Sequence, residues 1–297
     1  MVTIDEKKIV IQQLEQFAQL PVSLLRLDLL HPVISGNKWY KLKHNLLEVK
    51  EKGLEGLLTF GGAWSNHLAA TAGAAKEAGL KAVAIVRGLH GKDKPTATIQ
   101  QCLEYGMELH FVSREEYAMK HDATYLQSLS EKYPNLLIVP YGGSNEAGRK
   151  GAEEIATLIP EEYTHVCCAV GSGTTLIGLR NALPEHQLVL GFAPLKKGTY
   201  LRDELQPFIA TPYDSNWSLT DEFHFGGFGK WEYNQIHFMN LMYALHEVPL
   251  DVVYTSKMLF GVRDLIAQSY FPKNSNILCV HSGGLQGNIS VANHLIF

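Results

Sequence analysis

Several protein classes are built from material this 297-residue sequence has little of. No apolar run approaches the roughly 18 residues of a membrane span. The start, Met1-Val2-Thr3-Ile4-Asp5-Glu6-Lys7-Lys8, has no signal-peptide apolar region, so the chain reads as soluble and cytoplasmic. There is no basic excess either: 26 Lys and Arg face 30 Asp and Glu, a net charge of −4. That argues against a nucleic-acid or membrane-surface partner. The four cysteines, Cys102, Cys167, Cys168 and Cys279, lack metal-ligand spacing. Cys167 and Cys168 lie in an apolar run and read as core residues of a reduced protein. Thirteen histidines include no His-Glu-x-x-His and no clustered ligand spacing, so no catalytic metal is expected. Internal repeats, low-complexity linkers and a compositional domain boundary are all missing. A chain of this length makes one large or two ordinary domains and buries roughly 75% of its unfolded surface, which needs no staple.

Short apolar runs alternating with helical segments make up most of what is there. Residues 5–18 hold a short helical pattern (Ile9, Ile11, Leu14, Phe17), and 21–30 read as extended. Seven apolar runs follow: 56–60, 82–86, 108–112, 136–140, 165–170, 188–192 and 276–280. Runs of this length with little polar alternation suit strands buried on both faces. Their alternation with helices predicts a parallel-sheet α/β protein. Four of the seven lead into a glycine pair or Gly-x-Gly. The carboxyl edge of a parallel sheet is where ligands bind, and glycine admits them closely.

Three stretches carry candidate chemistry. In Ser35-Gly36-Asn37-Lys38-Trp39-Tyr40-Lys41-Leu42, two lysines three residues apart share one helix face. One amine could bond a carbonyl cofactor while the other supplies the electropositive setting that keeps the first unprotonated. The same pattern fits a solvated basic helix start. In Gly171-Ser172-Gly173-Thr174-Thr175, a strand end runs into an apolar helix (Leu176, Ile177, Leu179). Free N–H groups and the helix dipole make this an anion cradle. It lacks the nucleotide P-loop and dinucleotide fingerprints, so a single small phosphate fits best, and a plain turn fits it too. In Gly61-Gly62-Ala63-Trp64-Ser65-Asn66-His67, Ser65 or Asn66 would cap a helix over 68–78 that ends at Gly79.

Taken in order, Ser-Gly-Asn-Lys38-x-x-Lys41-Leu, Gly61-Gly62-x-x-Ser65-Asn66-His67, Gly142-Gly143-Ser144-Asn145, Gly171–Thr175, Val253-Tyr254-Thr255-x-Lys257 and His281-Ser282-Gly283-Gly284 resemble one family. It is that of the pyridoxal-phosphate (PLP) enzymes 1-aminocyclopropane-1-carboxylate (ACC) deaminase and D-cysteine desulfhydrase, with the tryptophan-synthase-β-like fold (PLP fold type II). The resemblance spans roughly residues 20–290. It implies two α/β domains: a large one from 1–51 plus 149–297, and a small one from 52–148. It implies that Lys38 bonds the cofactor covalently, flanked by Asn37, with Lys41 near the phosphate. Asn66 would bond the ring oxygen, and Gly171, Ser172, Gly173, Thr174 and Thr175 would cradle the phosphate. Thr255 would face the ring nitrogen. Ser65, Asn66 and His67 would hold the substrate carboxylate. Tyr254 would move a proton, and Trp64, Trp39 and Phe228 would border the substrate. A homodimer is implied as well.

Two positions tilt the expected reaction. Thr255 is neutral where ACC deaminases look to carry glutamate, which favours eliminating a good β-leaving group. Phe228 stands where the family usually has a tyrosine, 26 residues before Tyr254, and phenylalanine moves no proton. The expected activity is D-cysteine desulfhydrase-like β-elimination from a small amino acid to a 2-oxo acid and ammonia. Alternatives on the same scaffold are ACC deamination, racemisation, dehydration, or PLP binding with little catalysis. A Rossmann dinucleotide enzyme is the reading from another fold, and its fingerprint is missing.

Overall fold

Apolar on both faces, all seven runs become strands of parallel pairs in the computed structural model, which describes residues 2–34, 36–209 and 216–297. Ser35, at the head of the two-lysine stretch, lies outside the described residues. In chain order the strands are β1 (Ile11–Gln13), β2 (Val22–Arg26), β3 (Gly56–Gly62), β4 (Lys81–Arg87), β5 (Glu108–Val112), β6 (Leu136–Val139), β7 (His165–Ala169), β8 (Leu188–Phe192), β9 (Trp217–Thr220) and β10 (Ile277–His281).

They form two sheets, each in its own compact unit. The four-stranded unit holds Met1–Asp5, His31–Ile34 and Lys38–Gly151, with strand order β5-β4-β3-β6, all parallel. Its central strands show why the runs are unbroken. Val83 and Ile85 pack with Phe60, Tyr117 and Tyr133 on one face. Ala82, Ala84 and Val86 pack with Leu68, Ala72 and Cys102 on the other. Alternate side chains leave opposite faces, so a strand covered on both sides has no position left for a polar residue.

The six-stranded unit holds Glu6–Leu30, Ser35–Asn37 and Ala152–Phe297, in the order β1-β2-β10-β7-β8-β9. Only β1 runs antiparallel. Its core joins Leu24, Cys167, Leu190 and Cys279 to Met258, Leu259 and Val262 of the helix Thr255–Ala267. All four cysteines are buried free thiols. The helix Asn37–Glu51 groups with the four-stranded unit from Lys38 onward, where the sequence expectation put residues 1–51 with the other unit. The chain therefore changes units at the Asn37–Lys38 peptide.

The helix expected over 5–18 is not formed. Glu6–Lys8 is a single 3-10 turn and Ile11–Gln13 is the edge strand β1. Adjacent β-branched residues (Ile9, Val10, Ile11) favour extended backbone, and pairing with Ser23–Leu25 decides it. Gln16 at φ 57 then ends any regular run.

Among the described residues, no helix is long and apolar enough to cross a membrane.

Candidate active site

In the four-stranded unit, β3 ends at Gly61-Gly62 and the chain turns into the helix Asn66–Ala78. Gly61 is required there: a Cβ would lie 2.5 Å from Leu68 Cγ and 2.8 Å from Ser65 Oγ. Ser65 caps the helix, its hydroxyl accepting from the Leu68 N–H at 3.3 Å, and Gly79 closes it at φ 68. The backbone N–H of His67, in the first turn, has no acceptor among the described residues.

His67 is 2% exposed, and its tautomer follows from its neighbours. The Thr59 hydroxyl donates to the Val139 carbonyl at 2.8 Å, so it must accept from His67 Nε2 at 2.9 Å. Nδ1 is then a bare acceptor with no partner among the described residues. Burial, and after it the charges of Lys38 and Lys41, pull the imidazole's pKa down to about 3. The ring is therefore neutral and its N–H is committed to Thr59. What His67 can offer an anion is its backbone N–H; of the backbone and side-chain donors that the resemblance implies for 65–67, its ring N–H is already taken.

Lys41 is 4% exposed and lies on the same helix face as the half-buried Lys38. Gly143, at φ 69, lets Lys41 and His67 approach it: a Cβ there would be 3.1 Å from Lys41 Cβ and 3.6 Å from His67 Cε1. Asn145 donates to Asn45 Oδ1 at 2.7 Å, and Asn45 donates to the Lys41 carbonyl at 2.8 Å. The Gly142–Asn145 motif thus anchors the helix that carries both lysines. Trp39 is in that helix, where the sequence expectation put it in a loop. It packs on Ile34, Leu42, Ala70 and Ala74. Trp64 is exposed on the turn after Gly62.

In the six-stranded unit, three motifs meet. Asn37 Nδ2 donates to Thr175 Oγ1 at 2.8 Å, and Asn37 N–H donates to the Ser282 carbonyl at 3.3 Å. Gly36, at φ 63, lies so close to that carbonyl that a Cβ would be 1.9 Å from it. The anion loop follows β7, with Gly173 at φ 76 as the N-cap of the helix Thr174–Ala182. Ser172 and Thr174 hydroxyls are 2.9 Å apart. The N–H groups of Thr174, Thr175 and Leu176 have no acceptor among the described residues. This row of open donors at a helix start fits a phosphate. A Cβ on Gly171 would be 3.4 Å from Tyr254 Oη, and the Phe228 ring meets the Tyr254 ring edge-on at 6.0 Å.

Thr255 is arranged differently from the expectation. Its hydroxyl donates to Asp251 Oδ1 at 2.7 Å and accepts from the Asp251 N–H at 2.9 Å. No proton remains for a ring nitrogen. Ser282, just past β10, is half-buried and its hydroxyl has no partner among the described residues. The resemblance assigns this hydroxyl no role, and the signal in the sequence is a strand-end serine before Gly283-Gly284. His281 is fully buried, donates to the Pro249 carbonyl at 2.7 Å and accepts from Gly283 N–H at 3.2 Å, so it is a structural strut.

The chain as a whole is similar to known proteins. A protein of Thermotoga maritima named "Putative 1-aminocyclopropane-1-carboxylate deaminase" is 28% identical over 287 residues, covering 91% of this chain and 90% of that one. A D-cysteine desulfhydrase of Klebsiella pneumoniae is 27% identical over 289 residues, covering 88% and 86%. A solved structure described as an ACC deaminase homologue superposes with a TM-score of 0.83 at 26% identity, covering 97% of this chain and 94% of the other. The two-sheet architecture is accordingly the tryptophan-synthase-β-like fold. The profile of the family described as "Pyridoxal-phosphate dependent enzyme" matches residues 6–283, and the chain belongs to that family.

Proposed function

We propose that this protein is a PLP-dependent lyase or deaminase that removes a β-leaving group from a small amino acid, giving a 2-oxo acid and ammonia. The observation that carries the reading is the bond from Asn37 to Thr175. It ties the residue before Lys38 to the open anion loop, and consecutive Cα atoms lie about 3.8 Å apart.

The loop N–H groups of Thr174, Thr175 and Leu176 would hold the phosphate, and Lys38 would hold the aldehyde carbon through its amine. Bound PLP supplies an electron sink for negative charge at the substrate Cα. Lys41, one turn from Lys38, adds positive charge that favours an unprotonated amine at Lys38. That amine, once free, takes the Cα proton. The first-turn donors of Asn66 and His67 would orient the substrate carboxylate, and Tyr254 would pass a proton to the departing β-group. For D-cysteine the sum is balanced: one cysteine and one water give pyruvate, hydrogen sulfide and ammonia. D-cysteine-like substrates are favoured over ACC because position 255 offers no carboxylate to accept from a protonated ring nitrogen and keep it so. The relationship also suggests a homodimer.

The test is direct. Purified protein should absorb in the visible as a PLP enzyme, and borohydride followed by peptide mapping should label Lys38. Formation of 2-oxo acid should be measured with D- and L-cysteine, serine, β-chloroalanine and ACC. Label elsewhere than Lys38 refutes the site. Bound cofactor with no turnover of any of these supports the second reading, a PLP-binding protein with little catalysis. Phe228, 49% exposed beside Tyr254 and without a hydroxyl, is the observation that favours it.

A further inference from the structure

The segment 223–228 lies along one face of the helix Thr255–Ala267 like a ladder. Phe223 is close to Gly261, where a Cβ would be 2.6 Å from its ring. Phe225 meets Phe260 edge-on at 5.0 Å. The Lys257 ammonium donates to the carbonyls of His224 at 2.8 Å and Gly227 at 2.9 Å. Phe228 meets Tyr254 at 6.0 Å. Positions 254, 257, 260 and 261 share a helix face, so the four contacts form one continuous line.

The rungs differ in strength. Tyr254 is held through its backbone, because its N–H donates to Asp251 at 2.9 Å. The turn that carries Phe228 has little to hold it by itself. Phe225, Gly226, Gly227 and Gly229 all have positive φ, at 47, 86, 122 and 67°. Its internal bonds are Gly227 N–H to the His224 carbonyl, Gly226 N–H to His224 Nδ1, and Lys230 N–H to the Gly227 carbonyl. Two of its carbonyls converge on one lysine that is 2% exposed and makes no ion pair at contact distance among the described residues. A buried amine with such partners is costly unless the bonds it makes are kept. Burial lowers its pKa to about 8 against the raising influence of Asp251, so at neutral pH it donates as an ammonium.

We propose that Lys257 is a positioning residue: it clamps the 224–230 turn to the helix and thereby fixes the Phe228 ring against Tyr254, setting substrate fit rather than the chemical step. The role in substrate fit rests on the function proposed above; the clamp does not. Lys257 touches neither reacting atoms nor cofactor in this scheme. Its loss frees Phe228 while Asp251 still holds Tyr254, so the effect falls on KM.

The experiment uses the PLP-loaded protein and the variants Lys257→Met, Phe228→Ala and their combination. Hydrogen exchange of the Gly227 and Lys230 amides should quicken at least tenfold in K257M, with the Tyr254 and Thr255 amides within twofold of wild type. With D-cysteine, KM should rise at least tenfold and kcat change less than threefold. In the F228A background the same lysine change should move KM less than twofold. Unchanged turn exchange, or an undiminished KM effect in the F228A background, overturns the proposal. If K257M does not fold, Lys257→Gln carries the same comparison. Absence of turnover in wild type refutes the catalytic reading, and the exchange result still decides the clamp.

Discussion

Two helix starts in the six-stranded unit, at Thr174 and at Thr255, look alike in sequence and are opposites in structure. Each begins on a threonine, after Gly171-Ser172-Gly173 in one case and after Asp251-Val252-Val253-Tyr254 in the other. The start at Thr174 is capped by a glycine with no side-chain bond, so its first N–H groups remain open. At Thr255, the buried carboxylate of Asp251 accepts from the N–H groups of Val253, Tyr254 and Thr255 and from the Thr255 hydroxyl. A helix start is an anion site only where nothing in the chain already supplies the anion. The first start is therefore free to receive a phosphate, and the second is a rigid mount for Tyr254.

The harshest way to break this comparison is to empty the filled start. Asp251→Ala leaves three N–H groups, that of Thr255 buried and those of Val253 and Tyr254 partly so, and a buried hydroxyl without their acceptor, and should cost about 3–5 kcal/mol. Chemical denaturation would show it as a lower midpoint at unchanged slope. A loss under 1 kcal/mol would mean that the carboxylate does not organise the helix. Next is the open start. Gly173→Ala places a Cβ at φ 76 and 2.0 Å from Leu205 Cδ2. Left-handed strain and the displaced leucine should cost about 2–3 kcal/mol, together with weaker PLP retention on dialysis. Unaltered retention would mean that the loop conformation is not what binds phosphate.

A third test asks whether the four-stranded unit is tuned in the same way, by burying a neutral group. His67 has a folded pKa of about 3 against 6.5 when unfolded, so between these values the unfolded chain binds the extra proton. Stability then falls as pH drops through that window. The His67 share should be about 2 kcal/mol by pH 5. Comparing wild type with His67→Gln between pH 7 and pH 5 isolates it; equal acid sensitivity would show that the imidazole is not held neutral.

Much of this was legible in the sequence, for identifiable reasons. Strands covered on both faces leave unbroken apolar runs, so all seven were visible. β1 and β9, at three and four residues on the sheet edges, have no such signature, and β1 depends on pairing with Ser23–Leu25. Glycines were legible as sites of close approach, as Gly36 and Gly143 show. The partner of each was not, because Ser282 lies 246 residues from Gly36. Hydroxyl direction was the main loss. Asp251 sits four residues before Thr255, a spacing that offers a local acceptor, and the resemblance drew attention to the ring nitrogen instead. The Asn145–Asn45 and Lys257–carbonyl contacts needed the fold.

The mildest test is also the sharpest. If the Thr255 hydroxyl serves Asp251 alone, Thr255→Val should cost about 1–2 kcal/mol through the two lost hydrogen bonds and leave the bound cofactor's absorption maximum in place. Ser282→Ala removes a hydroxyl with no partner among the described residues, so it should leave unfolding nearly unchanged while shifting that maximum. Stability should thus follow position 255 and the cofactor spectrum position 282. The reverse pattern would put Thr255 at the ring after all, and would mean that the helix start at 255 is open to the ligand in the same sense as the one at 174.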